Sequence, residues 1–511
     1  MTAPADSLHR RSLHKLAANV AGAAVGFLSQ AIVPRALGPA AYGDFAFVTS
    51  FFWQALAFLN LNASTAFYSK LSQRPGDRGL VRFYFRLVAG LSAALLLFLF
   101  LARLSGAHRA LWPDQLFSTL ACGAVWAILN FVASGLADMA DAHGLTVYSE
   151  KVKVAAKVVG FLALLVMFKS RWLSLGSYFG YQLLFLALTA LAFGLIVGRH
   201  RAALPTAPAG PLAPYAREFA AFCFPLLVFT LFSVLEQMGE RWLIQHYSGA
   251  RNQGYYALSV QAGTVCFIFT SAAIPLLFRE NAISFHARDF PRLRRVFTRS
   301  VDILLSLSAA VCVFLAAEAK TFVLLFGGRA FEPAAVPFFV MCFFPIHQTL
   351  GQLSGNLFFA SDRIAAYRDI GLATLLVGLP LSLWLLGPKA WGALELGAAG
   401  LAIKMVLTQV LSVNLQLFSH ARFLKLPFLP MLKTQVMVLA VYAGLAFGAA
   451  WLGRALAAGV AVRAVISAGF YGGAVLAVAH WRPGLLSLEA ADLPHLWRYG
   501  KSRLGFGTAH A

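Results

Sequence analysis

A few charged side chains stand inside long apolar stretches of this 511-residue chain. Glu236, Glu240 and Arg241 lie in one such stretch, and Lys404 lies in another. Charges in these surroundings are costly unless they face a protein interior or a water-filled cavity. An arginine offers a fork of donors that suits a phosphate, and a buried carboxylate can take up a proton or a cation. The pattern therefore favours a polar cavity over a wholly lipid-facing surface.

The spacing of the first three charges leaves two interpretations open. Glu236 and Glu240 are four residues apart and share one face of a helix, while Arg241 lies roughly 100° around the helix from Glu240. In the first interpretation, Arg241 binds a phosphate and one glutamate takes up a coupling proton or cation. In the second, the charges form an internal network that holds this helix to its neighbours.

The other candidates also carry two interpretations each. Lys404 lies near the middle of its stretch, where its amine either reaches along its stem toward the interface or faces a cavity. Arg35, at the end of the first apolar stretch, is either an interfacial anchor or a phosphate contact near a gate. Asp44 and Glu318 stand near the ends of stretches and fit an interfacial position. The substrate-binding candidates are therefore Arg35, Arg241 and Lys404, and the ion-coupling candidates are Glu236 and Glu240.

Composition places these charges in a membrane protein. Hydrophobic residues make up 59% of the chain and charged residues 12%, whereas a soluble protein carries roughly 25% charged residues. The fold class predicted is an all-α polytopic membrane protein. The net charge of +22 comes from basic residues in short loops between apolar runs, which encode membrane topology. Nucleic-acid binding is therefore not expected.

A bilayer core requires roughly 20 apolar residues per helix, and on this criterion the chain has about 14 transmembrane helices. With the N-terminus in the cytoplasm, every inward segment holds at least two Lys or Arg, and no outward segment holds more than two. Both termini are therefore predicted to be cytoplasmic. The spans are 13–34, 41–64, 83–103, 112–136, 152–168, 173–198, 217–245, 253–278, 300–319, 333–358, 366–387, 391–419, 428–452 and 459–481.

One stretch of sequence recurs between these spans. Ile32–Ala46 (IVPRALGPAAYGDFA) has a weaker copy at Ser248–Ala257 (SGARNQGYYA), 211 residues later. At that offset two glycines of the first stretch match two glycines of the second, Gly38 with Gly249 and Gly43 with Gly254. Each stretch joins one span to the next at the outward side, so we expect gate hairpins whose glycines form tight turns.

A connection rich in Pro and Ala at about 199–216 separates the first six spans from the next six. An even number of spans returns the chain to the same side, so the halves are parallel repeats with a substrate path between two lobes. The predicted organisation is a six-helix lobe over 1–210, a second six-helix lobe over 211–425, two further transmembrane helices over 426–482 and a cytoplasmic interfacial tail over 483–511.

Catalytic and metal-binding motifs are missing from the sequence. It has no P-loop, HExxH, paired CxxC or GxSxG pattern. The five cysteines fall inside predicted spans and lack metal-ligand spacing. We therefore expect a protein that is not an enzyme and that uses no metal or other cofactor.

Residues 34–47 (PRALGPAAYGDFAF) resemble the first hairpin of the bacterial polysaccharide-export proteins, the lipid-linked oligosaccharide flippases. These belong to the multidrug/oligosaccharidyl-lipid/polysaccharide exporter (MOP) superfamily. The resemblance extends through residues 224–259 and 356–374. It implies two six-helix lobes plus two C-terminal helices, and alternating access that flips an undecaprenyl-pyrophosphate-linked sugar across the bacterial inner membrane.

Family members often line their cavity with basic residues, and the matching positions here are Arg35, Arg241 and Lys404. The partners that the resemblance implies are the lipid-linked oligosaccharide, membrane lipid and the machinery of polysaccharide biosynthesis. Two other functions stay open. A drug/cation antiporter of the same superfamily would use acidic residues such as Glu236 and Glu240. A membrane glycosyltransferase, such as a polysaccharide polymerase or ligase, would carry a large outward loop, whereas the outward loops here reach at most about 15 residues.

Overall fold

The protein is built from helices. The computed structural model describes residues 8–60, 63–202, 211–224, 227–261, 267–456 and 459–487, and no residue in these ranges forms a β-strand. Within them, nine helices are long and apolar enough to cross a membrane, or ten if a bent pair near the N-terminus counts as one span. The predicted class of all-α polytopic membrane protein is confirmed, and the count of 14 spans stays a prediction.

The helices follow one another with short connections. Those before the Pro-rich connection are α1 (Leu8–Asn60), α2 (Ala63–Gln73), α3 (Arg78–Leu104), α4 (His108–Leu111), α5 (Phe117–Ala142), α6 (Thr146–Lys169) and α7 (Leu175–Ala202). Those after it are α8 (Ala213–Cys223), α9 (Leu227–Leu243), α10 (Gly249–Val260), α11 (Phe267–His286), α12 (Phe290–Ala317), α13 (Ala319–Gly327), α14 (Ala335–Met341), α15 (Phe344–Ala360), α16 (Ile364–Leu386), α17 (Gly397–Leu424), α18 (Phe428–Leu456) and α19 (Val460–Trp481).

The repeated stretches have the same backbone break. Gly38 interrupts α1 with φ 72° and ψ 170°, and Gly249, between a π-helical turn at Ile244–Ser248 and α10, has φ 75° and ψ 175°. Glycine alone adopts this region readily. Pro39 follows Gly38 and suits the first turn of the next helix, because its fixed φ is helical and its missing N–H is not needed there. The prediction that Gly38 and Gly249 form turns is confirmed.

Some predicted spans differ from uniform helices. The seventh is divided into α8, α9 and the π-helical turn, and the tenth corresponds to a 3₁₀ turn (Arg329–Ala334) followed by α14 and α15. The fifth corresponds to α6, which carries Lys153 and Lys157 in its first half. The predicted cytoplasmic tail over 483–511 lies outside the described residues from 488 onward.

The chain forms two compact units, the first made of Met1–Ala257 and Leu379–Leu401, the second of Leu258–Gly378 and Ala402–Ala511. Aromatic side chains fill the core of unit 1. Phe67 stacks on Tyr84 with ring centroids 3.9 Å apart, and Phe52 stacks on Trp112 at 5.6 Å. These buried rings join α1 and α2 to α3 and to the segment after α4. The predicted lobes over 1–210 and 211–425 stay a prediction.

Unit 2 is held partly by polar contacts. The Tyr442 and Ser306 hydroxyls are 2.8 Å apart, between α18 and α12. The Glu318 carboxylate, only 1% exposed, accepts a hydrogen bond of 2.9 Å from Ser467 of α19 and lies 3.9 Å from the Arg463 guanidinium. Glu318 is thus buried in protein, and it ties α19 to the junction of α12 and α13. Its interfacial position stays a prediction.

The short helix α8 docks on α2 and α3 in unit 1. Glu218 accepts two hydrogen bonds from Arg74, of 2.7 and 2.8 Å, and lies 3.1 Å from the Lys70 amine. The Tyr215 hydroxyl donates to the Asp77 carboxylate at 2.8 Å. The Arg74 hydrogen bond lowers the pKa of the Glu218 carboxyl below its ordinary value.

Candidate functional site: the hairpin junction and its buried charges

The two repeated hairpins pack directly against each other in unit 1. A Cβ atom built on Gly43 would lie 1.8 Å from the Ala250 carbonyl oxygen, and one on Gly254 would lie 2.0 Å from the Pro39 carbonyl oxygen. Only glycine permits so close an approach of two backbones. The prediction that Gly43 and Gly254 form turns is wrong, because they lie within helices and serve this contact. We call Pro39, Gly43, Ala250 and Gly254 the hairpin junction.

Side chains of α9 and its π-helical turn reach the segment around α4. The Trp242 indole donates to the Ala110 carbonyl oxygen at 2.9 Å, and the buried Gln245 amide donates to the Pro113 carbonyl oxygen at 3.3 Å. These contacts join the seventh span to the connection between the third and fourth spans. The hairpin junction is thus part of a wider contact between the first half of the chain and the start of the second.

A further polar contact links α10 to the start of α17. Asn252 accepts a hydrogen bond of 3.2 Å from the backbone N–H of Ala398 and donates to the Ser248 carbonyl oxygen at 2.9 Å. A Cβ atom on Gly397 would lie 2.6 Å from the same Asn252 oxygen. Asn252 therefore caps α17 with a side chain from the second hairpin.

Arg241 lies next to this junction. It is half-buried near the end of α9, and its guanidinium donates to the Gln253 side-chain oxygen at 3.2 Å. The guanidinium also lies over the Tyr256 ring, 4.6 Å from its centroid, in a cation–π contact. Gln253 donates in return to the Arg241 carbonyl oxygen, so one buried amide fixes both ends of the residue. Its guanidinium makes no other hydrogen bond to a residue that the structure describes.

The predicted acidic residues point in other directions. Glu240 is 5% exposed and accepts a hydrogen bond of 2.8 Å from the Ser382 hydroxyl of α16. Arg241 thus contacts α10 while Glu240 contacts α16, in keeping with the difference of roughly 100° between neighbours on a helix. Glu236 is half-buried one turn earlier on the Glu240 face. Their proposed role in ion coupling stays a prediction.

The structure places the other two basic candidates elsewhere. Arg35 is exposed on α1, one turn before the break at Gly38. Lys404 is 3% exposed within α17, and it belongs to unit 2 whereas Arg35 and Arg241 belong to unit 1. Lys404 is therefore buried in protein and does not face lipid. A shared site for Lys404 and Arg241 stays a prediction.

Several neighbours of Arg241 and Glu240 were missed by the sequence reasoning. Gln253 and Tyr256 lie within the second repeated stretch, and their positions beside Gly254 were an available signal. Ser382 lies in an unrelated span and gives no signal in sequence. The sequence also contains a second repeated segment. Residues 109–113 (RALWP) resemble residues 329–333 (RAFEP), and a glycine with φ near 73° precedes each segment, Gly106 and Gly328.

The arrangement combines a fixed cation with a contact that contains almost no side chains. A guanidinium held by an amide and an aromatic ring keeps donors available for an anion, with little rearrangement required. Helices that touch through glycine are free of interlocked side chains, so their separation costs little packing. Together these features suit a path that binds an anionic group and opens at one end.

The fold is shared with solved transporter structures. No protein-family model and no curated protein sequence matches the chain. The chain is similar to the lipid II flippase MurJ in an inward closed conformation, with a TM-score of 0.66 and 12% identity over 93% of this chain and 99% of that chain. It is also similar to an inward-facing multidrug resistance MATE family transporter of the MOP superfamily, with a TM-score of 0.59 and 12% identity over 81% and 95%.

A MOP superfamily transporter from Pyrococcus furiosus gives a TM-score of 0.54 and 13% identity over 82% of this chain and 97% of that chain. All three likenesses run over most of both chains, and at these identities they establish a common fold. The chain therefore has the fold of MOP superfamily transporters.

Proposed function

We propose that the protein is an alternating-access transporter that flips an undecaprenyl-pyrophosphate-linked oligosaccharide across the bacterial inner membrane. The observation that carries this proposal is Arg241, a half-buried cation with available donors at the junction of the two hairpins. A pyrophosphate in a low-dielectric path requires fixed cations, and arginine offers the bidentate geometry that a phosphate accepts.

The hairpin junction supplies the second part of the argument. Substrate that leaves at this end of the helices must separate Gly43 from Ala250 and Gly254 from Pro39. The equivalent positions of these residues in the two halves fit an opening in which the halves move apart about a pseudo-symmetry axis.

Topology and partners complete the proposal. The charge pattern of the loops favours cytoplasmic termini and a hairpin junction at the outward end of the spans. The oligosaccharide lipid would then enter from the cytoplasmic leaflet, supplied by the machinery of polysaccharide biosynthesis. Lys404 and Arg35 are proposed as further contacts for the anionic headgroup.

A drug/cation antiporter is the second candidate, because Glu240 is a buried carboxylate beside Arg241 on α9. A buried carboxylate can exchange a proton for a cation. The MATE family transporter with a similar fold is a multidrug resistance protein. A single reconstitution can separate the two candidates.

The test uses vesicles that contain the purified full chain and a fluorescent undecaprenyl-pyrophosphate glycan. A membrane-impermeant reductant quenches the label only on the outer leaflet, so transbilayer movement appears as additional quenching. We expect quenching beyond the outer-leaflet fraction, and quenching equal to that of empty liposomes would reject the flippase. Efflux of a cationic dye driven by a proton or sodium gradient, with no glycan movement, would establish the antiporter instead.

A further inference from the structure

A cavity of about 660 Å³ lies in unit 1 among α3, α5 and α7. Its walls come from the first two turns of α3 and from the last turns of α5 and α7. These are the helix ends that the loop charges place at the cytoplasmic side. The cavity and the hairpin junction therefore share no residue, and they lie at opposite ends of the predicted spans.

Two arginines form the polar part of this cavity. Arg78 and Arg82 are one helical turn apart on α3 and both are exposed. Neither guanidinium forms an ion pair or hydrogen bond with any residue in the described part of the chain. Arg74, four residues earlier, is by contrast engaged by Glu218. The positive charge of Arg78 and Arg82 is therefore available to an external anion.

The rest of the cavity is apolar. Phe85 of α3 and Leu136 of α5 line it, and on α7 the lining includes Gly194 and Gly198. A Cβ atom added at either glycine would meet no atom within 4 Å, so the missing side chains leave a groove along α7. The neighbouring Leu195 is 53% exposed, as a residue that faces hydrocarbon would be. The groove thus opens toward lipid.

We propose that this cavity binds an anionic phospholipid of the cytoplasmic leaflet. Its phosphate lies between Arg78 and Arg82, and one acyl chain follows Phe85 and the groove at Gly194. Arg78 and Phe85 are seven residues apart, or roughly 10 Å along a helix, so the cations lie at the depth of the headgroup and the ring lies below them. A free anion would contact the two arginines but not the apolar half of the cavity. A zwitterionic lipid would fill the apolar half but would not match the net positive charge of the two arginines.

The test measures lipid binding to the detergent-solubilised full chain by native mass spectrometry. The probes are dioctanoyl phosphatidylglycerol, dioctanoyl phosphatidylcholine and inorganic phosphate. We expect phosphatidylglycerol to bind about 30-fold more tightly than phosphatidylcholine, the factor that two basic residues near an anionic surface supply. Replacement of both arginines, R78A/R82A, should abolish this preference. R86A is the matched control, because Arg86 is exposed one turn further along α3 and does not line the cavity.

The apolar groove is tested separately with Gly194→Leu and Gly198→Leu, either of which should weaken binding of both lipids. Gly180→Leu is their control, because Gly180 also has open space around it but lies elsewhere on α7. Equal binding of the two lipids to wild type would overturn the role of the arginines. Phosphate binding as tight as that of phosphatidylglycerol, or leucine variants that bind both lipids normally, would overturn the lipid assignment. The readout is independent of transport, so the proposed function can fail without affecting this result.

Discussion

Arg241 shows how one residue can be fixed by protein and still remain available to a ligand. Gln253 binds both its guanidinium and its backbone carbonyl, and Tyr256 supports the guanidinium plane. These contacts use the backbone carbonyl, one N–H and one face of the guanidinium, which leaves further N–H donors for an anion. The two interpretations of Arg241, as a phosphate ligand and as a structural group, are therefore compatible, and kinetics can separate their contributions.

We expect Arg241→Ala to raise the apparent KM for the glycan lipid about tenfold, because a charge-assisted hydrogen bond contributes roughly 1.5–3 kcal/mol. Gln253→Ala is the matched control: it removes the partner of Arg241 but keeps the charge. It should lower thermal stability and change KM less than about twofold. Transport kinetics in vesicles and thermal unfolding of each variant provide the two measurements. An unchanged KM in Arg241→Ala would make Arg241 a structural residue.

At the scale of elements, α19 is anchored through a buried charge. Glu318 accepts from Ser467 and from Thr321, and it lies near Arg463. Loss of one partner leaves the opposite charge uncompensated in a low-dielectric environment, which costs roughly 3–5 kcal/mol. The cluster therefore holds the C-terminal helix more firmly than apolar contacts alone.

Glu318→Ala should consequently reduce the free energy of unfolding by about 3 kcal/mol and make the connection between α18 and α19 more susceptible to protease. Glu332→Gln serves as the control, because Glu332 pairs with Lys320 on the surface, where both side chains are about half exposed. An exposed pair contributes little to stability, because water and salt screen its charges. Denaturant titration of both variants checks the contrast, and equal effects would show that burial of the Glu318 cluster contributes nothing.

The elements also show what the sequence could predict. Long apolar runs, loop charges and the repeated glycines depend on local composition, so they indicated the helices and the turns at Gly38 and Gly249. The π-helical turn at Ile244–Ser248 has a partner distant in sequence, because Gln245 donates to the Pro113 carbonyl oxygen. The burial of Glu318 could not be predicted for the same reason, because Ser467 and Arg463 approach it only in the folded chain.

At the scale of the whole molecule, the two halves of the sequence meet through equivalent residues. Gly43 of the first hairpin touches Ala250, and Gly254 of the second touches Pro39. Each glycine therefore packs on the turn that precedes its counterpart, as a two-fold arrangement of repeats requires. A transporter that alternates access must both form and break such a contact. In the proposed transport cycle, the stability of the hairpin junction sets how often this end of the protein is open.

Gly43→Ala tests this role directly. The added Cβ atom would lie 1.8 Å from the Ala250 oxygen, a backbone atom that cannot rotate away. Overpacking costs roughly 1–3 kcal/mol, which should shift the equilibrium toward the open state about tenfold. The reporter is Ala257→Cys in a protein whose natural cysteines have been replaced. Ala257 lies one turn beyond Gly254 and is only 7% exposed, so a cysteine there should react slowly until the junction opens. A membrane-impermeant maleimide applied from the outward side should label it about tenfold faster in the Gly43→Ala protein.

Gly26→Ala is the matched control for this measurement. Gly26 lies in the part of α1 before the break at Gly38, whereas Gly43 lies after it, and an added Cβ atom at Gly26 would meet nothing within 4 Å. It should leave the labelling rate of the Ala257→Cys reporter unchanged, because a methyl group in open space biases neither state. If both alanine variants are labelled at the wild-type rate, the hairpin junction does not close the outward end. If both are labelled faster, the change reflects general loosening of α1, and the close approach at Gly43 has no specific part in gating.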